Sequence, residues 1–147
     1  MNIPLTMDYT KKQQLRYIKQ FQKNKEELKT DCHKLWREIC FLKAKGKCEY
    51  PKCYNPATQP HHIKTKGGYP HLKYDPENSM ALCYYHHDGG RYGAHHDINF
   101  KEIIIKNGVR TKEFFDKLER KADKGYKLDL ELEFLYLTKL KQELTNK

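Results

Sequence analysis

The sequence predicts an α+β protein, mainly helical, with a small irregular middle flanked by helices on both sides. Two observations point there first. Apolar residues recur at helical spacing before residue 46 and after residue 99. Between those limits the periodicity fails and turn formers crowd in, with Pro51, Pro56, Pro60, "KGGYP" and "DPEN". The third observation is that this loop-rich middle carries most of the histidines and three of the five cysteines. Three regions follow: a basic helical region at 1–46, a Cys/His core at 47–98 and a helical extension at 99–147.

In the first region, "DYTKKQQLRYIKQFQKNKEELK" spaces Leu15, Ile18, Phe21 and Leu28 as one helix face. Thr30 or Asp31 is placed to cap a second helix, "CHKLWREICFLKAKG", unless the two run on as one. Its stripe is Cys32, Leu35, Trp36, Ile39 and Leu42, ending at Gly46. Cys32, His33 and Cys40 therefore read as core or surface positions of a helix and not as ligands. Past the middle, "INFKEIIIKNG" fits a helix opened by Asn99 and closed at Gly108, although three consecutive isoleucines also allow a strand. "RTKEFFDKLERKADKG" is a helix capped by Thr111, with Phe114, Phe115 and Leu118 inward. Leucine and phenylalanine at 130, 134, 137, 140 and 144 mark a terminal amphipathic helix, suited to pack on the first helices or on a second subunit. Monomer and homodimer both stay open.

Charge is distributed unevenly. Of the net +10, residues 11–47 hold twelve Lys/Arg against four acids, residues 48–100 balance at five each, and residues 101–147 add +3. A basic surface flanking a neutral centre suits a polyanion, most simply nucleic acid. The opening "MNIPLTMDYTKK" shows no apolar signal region and no window approaches membrane length, so the expected setting is the cytoplasm, with no membrane partner. Thiols there are reduced, and spaced Cys/His sets read as metal ligands before disulfides.

Cys48-x4-Cys53 and Cys83-x2-His86, 29 residues apart, form two half-sites. Together they supply the four donors that structural Zn²⁺ takes in a tetrahedron. The loop they close is too rich in Pro and Gly, and too poor in apolar residues, to fold readily unaided. Within it, His61, His62 and Ile63 enter a strand where neighbouring side chains face opposite sides. "SMAL" forms the return strand, leading into a short helix near Cys83. If His86 turns to zinc, His87 lies about 100° further round that helix. It then faces His61 across a cradle for a second divalent ion.

The residues "HHI" at 61–63, Asn78 in "PENSMALC" and "CYYHH" at 83–87 together resemble the HNH endonuclease family, in particular its zinc-stapled phage and bacterial members. The resemblance spans residues 46–97 and departs in the four-residue gap between the first two cysteines and in His86 where a cysteine is common. It implies a zinc-stapled ββα-metal core that cuts phosphodiester bonds in DNA, in a bacterial host cytoplasm if phage-encoded. His62 would be the general base. His61 and His87 would bind one Mg²⁺ or Mn²⁺, with Zn²⁺ or Ni²⁺ as further candidates. Asn78 would fix the loop near His62 through backbone hydrogen bonds, and His95 would be a minor metal or phosphate contact, ahead of His96. Lys64, Lys66 and Arg91 would meet the DNA backbone, and phage packaging or recombination proteins would be partners. His71 is expected on the surface and His33 away from the chemistry. A non-catalytic zinc module that binds nucleic acid or a DNA-processing assembly is the competing expectation.

Overall fold

The computed structural model describes residues 10–13 and 24–147. The expected face of Leu15, Ile18 and Phe21 lies outside those residues. Helix α1 spans Lys25–Lys43. It starts earlier than Thr30 or Asp31, because the Asn24 side chain accepts from the Glu27 amide at 2.9 Å. Thr30 instead turns its hydroxyl back to the Glu26 carbonyl at 3.0 Å, within the helix. The inward face runs Leu28, Cys32, Trp36, Ile39 and Cys40, whereas Leu42 is 40% exposed and not part of it. Gly46, at φ +72°, ends the helix by donating to the Phe41 carbonyl at 2.9 Å.

A two-stranded antiparallel sheet follows, β1 (Gln59–His61) and β2 (Met80–Leu82), with Gln59 opposite Leu82 and His61 opposite Met80. The first strand stops at His61, so His62 and Ile63 lie just beyond it. Pro60 faces Ala81. It has no N–H to offer, and none is asked for, because the Ala81 backbone points to the other side. There Ala81 N–H donates to Glu49 Oε2 at 2.6 Å, and the Glu49 amide donates to the Ala81 carbonyl at 2.8 Å. Arg110 holds the second oxygen of Glu49 at 2.6 Å.

A 3₁₀ turn (Pro70–Leu72) lies between the strands, and a π-helical turn (Tyr85–Gly89) comes after β2. Three helices complete the chain: α2 (Phe100–Lys106), α3 (Lys112–Lys124) and α4 (Leu130–Thr145). The isoleucine run is thus helical, with Phe100 and Ile104 buried on one side. Asn99 stands at its N-cap without a capping bond from its side chain. Thr111 caps α3 as expected, accepting from the Phe114 amide at 3.0 Å. Helix α4 packs on α1 within this chain, around Cys32, Trp36, Ile39, Tyr74 and Leu137. On the other side of the sheet, Met80, Leu82, Cys48 and Cys83 meet Phe100, Ile104 and Phe115. Roughly half of the described residues are helical, and none of those helices is long and apolar enough to cross a membrane.

Asn78 joins the two ends of the inter-strand loop and is fully buried. Its Oδ1 accepts from the Lys64 amide at 2.6 Å, and its Nδ2 donates to the carbonyls of Lys64 at 2.9 Å and Leu72 at 3.0 Å. Every side-chain bond goes to backbone that has no ladder partner of its own. Asn78→Ala should therefore lower unfolding stability by about 2–4 kcal/mol, read by urea denaturation at fixed zinc.

Candidate metal centres

The sequence builds the first centre from two turns. After α1, a tight reversal through Lys52 at φ +60° lets the Cys53 amide reach the Tyr50 carbonyl at 3.1 Å, returning Cys53 toward Cys48. Cys83 follows β2 directly, and the His87 amide donates to the Cys83 carbonyl at 3.0 Å, so the turn aims His86 back at the cysteine. The result is one cluster of Cys48, Cys53, Cys83 and His86. His86 Nδ1 lies 3.3 Å from Cys83 Sγ and 3.7 Å from Cys48 Sγ, and Cys53 Sγ lies 4.0 Å from Cys83 Sγ. Zinc bonds of about 2.3 Å to sulfur and 2.0–2.1 Å to nitrogen, at tetrahedral angles, give edges of roughly 3.5–3.8 Å. Those three separations stand near these edges and all four donors lie within 4.8 Å of one another, so the cluster can hold a metal such as zinc.

Electrostatics agree with that fit. Burial pushes the Cys48 thiol up to about 12, so its ionisation calls for a cation close by. Burial also acts upward on Cys83, but the His86 amide, the Asn55 side chain and the neighbouring thiols outweigh it and hold Cys83 below its ordinary value. The Tyr50 ring stacks on His86 at 3.9 Å and 7°, fixing the imidazole plane.

A second cluster forms where β1 ends. His61, His87 and His95 each bring a ligand nitrogen within 4.8 Å of the others, and His87 Nε2 is 3.0 Å from His95 Nε2. His95 arrives because the chain doubles back at Gly93, where an added Cβ would sit 3.0 Å from the His87 carbonyl oxygen. The Ala94 amide then bonds the His86 carbonyl at 2.8 Å and the His95 amide the His87 carbonyl at 3.3 Å. Burial, with smaller contributions from His95 and His87, drives the His61 pKa down to about 3. Burial and then His95 lower His87 as well. Three imidazole nitrogens brought this close, with burial favouring the neutral form of His61 and His87, form a group that could hold a metal ion. The Nδ1 of His61 is moreover a buried side-chain nitrogen with no hydrogen-bond partner. Beside His61 opens a cavity of about 240 Å³, with Lys64, Asp97, Lys101 and Glu119 among its walls.

His62 turns the opposite way. Its ring stacks on Trp36 at 3.9 Å and 11°, and its Nε2 lies 2.8 Å from the Lys73 carbonyl. A carbonyl only accepts, so Nε2 carries the hydrogen and Nδ1 keeps a lone pair. Desolvation lowers the His62 pKa, helped by Lys66, His33 and Lys73 and opposed by the Lys73 carbonyl bond. His62 therefore stands outside the three-histidine cluster, against α1. His33, expected to be uninvolved, stacks on the other partner of that contact, Trp36, at 5.9 Å.

The remaining expected residues divide. Asn78 bridges Lys64 and Leu72, two residues beyond His62 and one before Lys73. Lys64 is ion-paired to Glu119 of α3, so its charge is already met. Lys66 and Arg91 are exposed, Arg91 lying 5.9 Å over the Tyr92 ring. His96 joins Asp88, bonding its carbonyl at 2.8 Å and carboxylate at 3.1 Å, and stays out of the cluster. His71 is half-buried and not a plain surface residue, because its Nε2 donates to the Lys121 carbonyl at 3.1 Å. Trp36 and the Lys73 carbonyl are the site features that no sequence spacing signalled.

Comparison with protein-family models, curated proteins and solved structures gives no match. The geometry alone carries the functional reading. Zinc-loaded protein should show, by X-ray absorption, three sulfurs at about 2.3 Å and one nitrogen at 2.0–2.1 Å. Cys83→Ala should abolish that signal and the cooperative unfolding of residues 47–98, and an unchanged zinc content would contradict the assignment.

Proposed function

We propose that the protein is a metal-dependent endonuclease of the HNH type, hydrolysing phosphodiester bonds in DNA. The observation that carries the reading is the convergence of His61, His87 and His95 beside a separate Cys48/Cys53/Cys83/His86 cluster. The chain order supports it too: strand, strand and a short helical turn deliver His61 from β1 and His87 from the turn after β2. The net charge of +10 suits a polyanionic substrate.

In this reading His61, His87 and His95 hold one divalent ion. When bound, that ion offsets the negative charge that grows on the phosphorus oxygens and the departing 3′ oxygen. His62 is the general base. Its Nε2–H is committed to the Lys73 carbonyl, which leaves Nδ1 to take the proton of the attacking water. Trp36 keeps the ring in one orientation, and Asn78 holds the backbone on both sides of it. Lys66 and Arg91 are exposed cations for flanking phosphates, whose contacts give affinity without sequence preference.

Packing of His62 against Trp36, outside the histidine cluster, favours one competing reading, a zinc module that binds nucleic acid without cutting it. Plasmid nicking with added Mg²⁺ or Mn²⁺ separates the two. Wild type should nick, His61→Ala should be inactive, and His62→Ala should lose about 10²–10⁴-fold in rate. Binding without turnover under every divalent ion tried would establish the module instead. The pH profile is a second check. His62 ionises below its ordinary 6.5, so it remains the neutral, proton-accepting form down through that value. The acid limb of kcat/KM should then have its midpoint below pH 6.5, with a plateau above.

A further inference from the structure

A cavity of about 390 Å³ lies where the first turns of α1, the 70–74 turn and the linker between α3 and α4 come together. Its walls are apolar, with Pro70, Leu128 and Leu130 beside the rings of Tyr74 and Tyr126. Its rim is cationic. Lys25 and Lys29 come from α1, Lys73 from the turn and Lys127 from the linker, and no carboxylate lines it. Lys29 is paired to Glu26 at 3.1 Å, whereas Lys25, Lys73 and Lys127 have no ion pair among the described residues. Tyr126 is 48% exposed. Its ring meets the edge of His71 at 5.0 Å and 71°, and His71 is itself anchored to α3 through the Lys121 carbonyl.

Apolar walls under a rim where three of four lysines have no ion pair among the described residues suit a ligand with a planar uncharged body and negative charge at its margin. A nucleotide has that form, its base stacking on tyrosine while lysines meet the backbone. Position narrows the choice. The carbonyl of Lys73 is the group that holds His62, so the cavity begins at the same residue that orients the proposed base. A polynucleotide crossing His62 would continue past Lys73 into the cavity. A duplex keeps its bases stacked inside, and only an unpaired nucleotide can present one to Tyr126.

We propose that this cavity binds an unpaired nucleotide of a single-stranded nucleic acid. The substrate class of the proposed endonuclease would then include DNA with a single-stranded segment beside the cut, an extension that rests on the endonuclease reading.

The test is direct binding, followed by fluorescence anisotropy of a labelled oligothymidylate of about a dozen nucleotides on the zinc-loaded full chain without added Mg²⁺ or Mn²⁺. Tyr126→Ala and Lys127→Glu should each weaken single-strand affinity at least ~5-fold. Tyr54→Ala, which removes a tyrosine 92% exposed elsewhere, should match wild type. Both changes are at exposed positions, and zinc content with far-UV circular dichroism checks that each variant is folded. Wild-type affinity in both variants would overturn the proposal. So would displacement of the oligonucleotide by polyglutamate or anionic vesicles at equal charge, since the site would then read charge alone. The two readings fail separately: absent nicking with a selective Tyr126→Ala binding defect removes the nuclease only, and metal-dependent nicking with unchanged binding removes the cavity assignment only.

Discussion

Two strands of three residues each make too short a ladder to persist on their own hydrogen bonds. The rest of the molecule answers that weakness. At one end of β2 the Cys48, Cys53, Cys83 and His86 donors draw the turns before β1 and after β2 toward a single point. At the other end Asn78 ties the return of the inter-strand loop to its departure. One flank of the sheet meets α1, on whose other residues α4 packs, and the other flank meets α2 and α3. Each end and each flank of the short sheet is thus met by another part of the chain, and His61 sits at the end of its first strand.

The end of β1 then separates two adjacent imidazoles by environment, His61 being its last residue and His62 the first beyond it. His61 is turned into a pocket of other imidazoles and Phe100, where burial keeps it uncharged. His62 is turned onto an indole and a carbonyl, which together fix ring plane and tautomer. Neither environment can be exchanged for the other without shifting the backbone at His61 and His62 by one residue.

The helical flanks and the grouping of the metal-ligating residues are legible in the sequence. Ligand spacing reaches across short turns, so Cys48, Cys53, Cys83 and His86 could be grouped from sequence, as could His61 with His87. Thr111 and the terminal leucine stripe were equally local signals. What escaped were relations set by tertiary contact. Trp36 looked like one more apolar residue of a helix face, although its indole both stacks on His62 and donates to the Asp75 carbonyl at 3.0 Å. Lys64 looked free, but its partner Glu119 is supplied by α3, more than fifty residues on. His95 could be favoured over His96 only weakly, because the backbone approach at Gly93 that delivers it leaves no periodic trace. The start of α1 differs from Thr30 or Asp31 because several cap-forming residues stand close together and it is the Asn24 side chain that accepts from the Glu27 amide at the first turn, at 2.9 Å.

Glu49 gives the outer side of β2 a property beyond its ion pair with Arg110. By accepting from the Ala81 amide with its carboxylate and donating to the Ala81 carbonyl with its own amide, one residue occupies both groups that a neighbouring strand would use. Arg110 keeps that carboxylate from swinging away. A second chain looking for an open β-edge finds this one plugged, so self-association by strand addition there is blocked by a single glutamate in place of an additional strand.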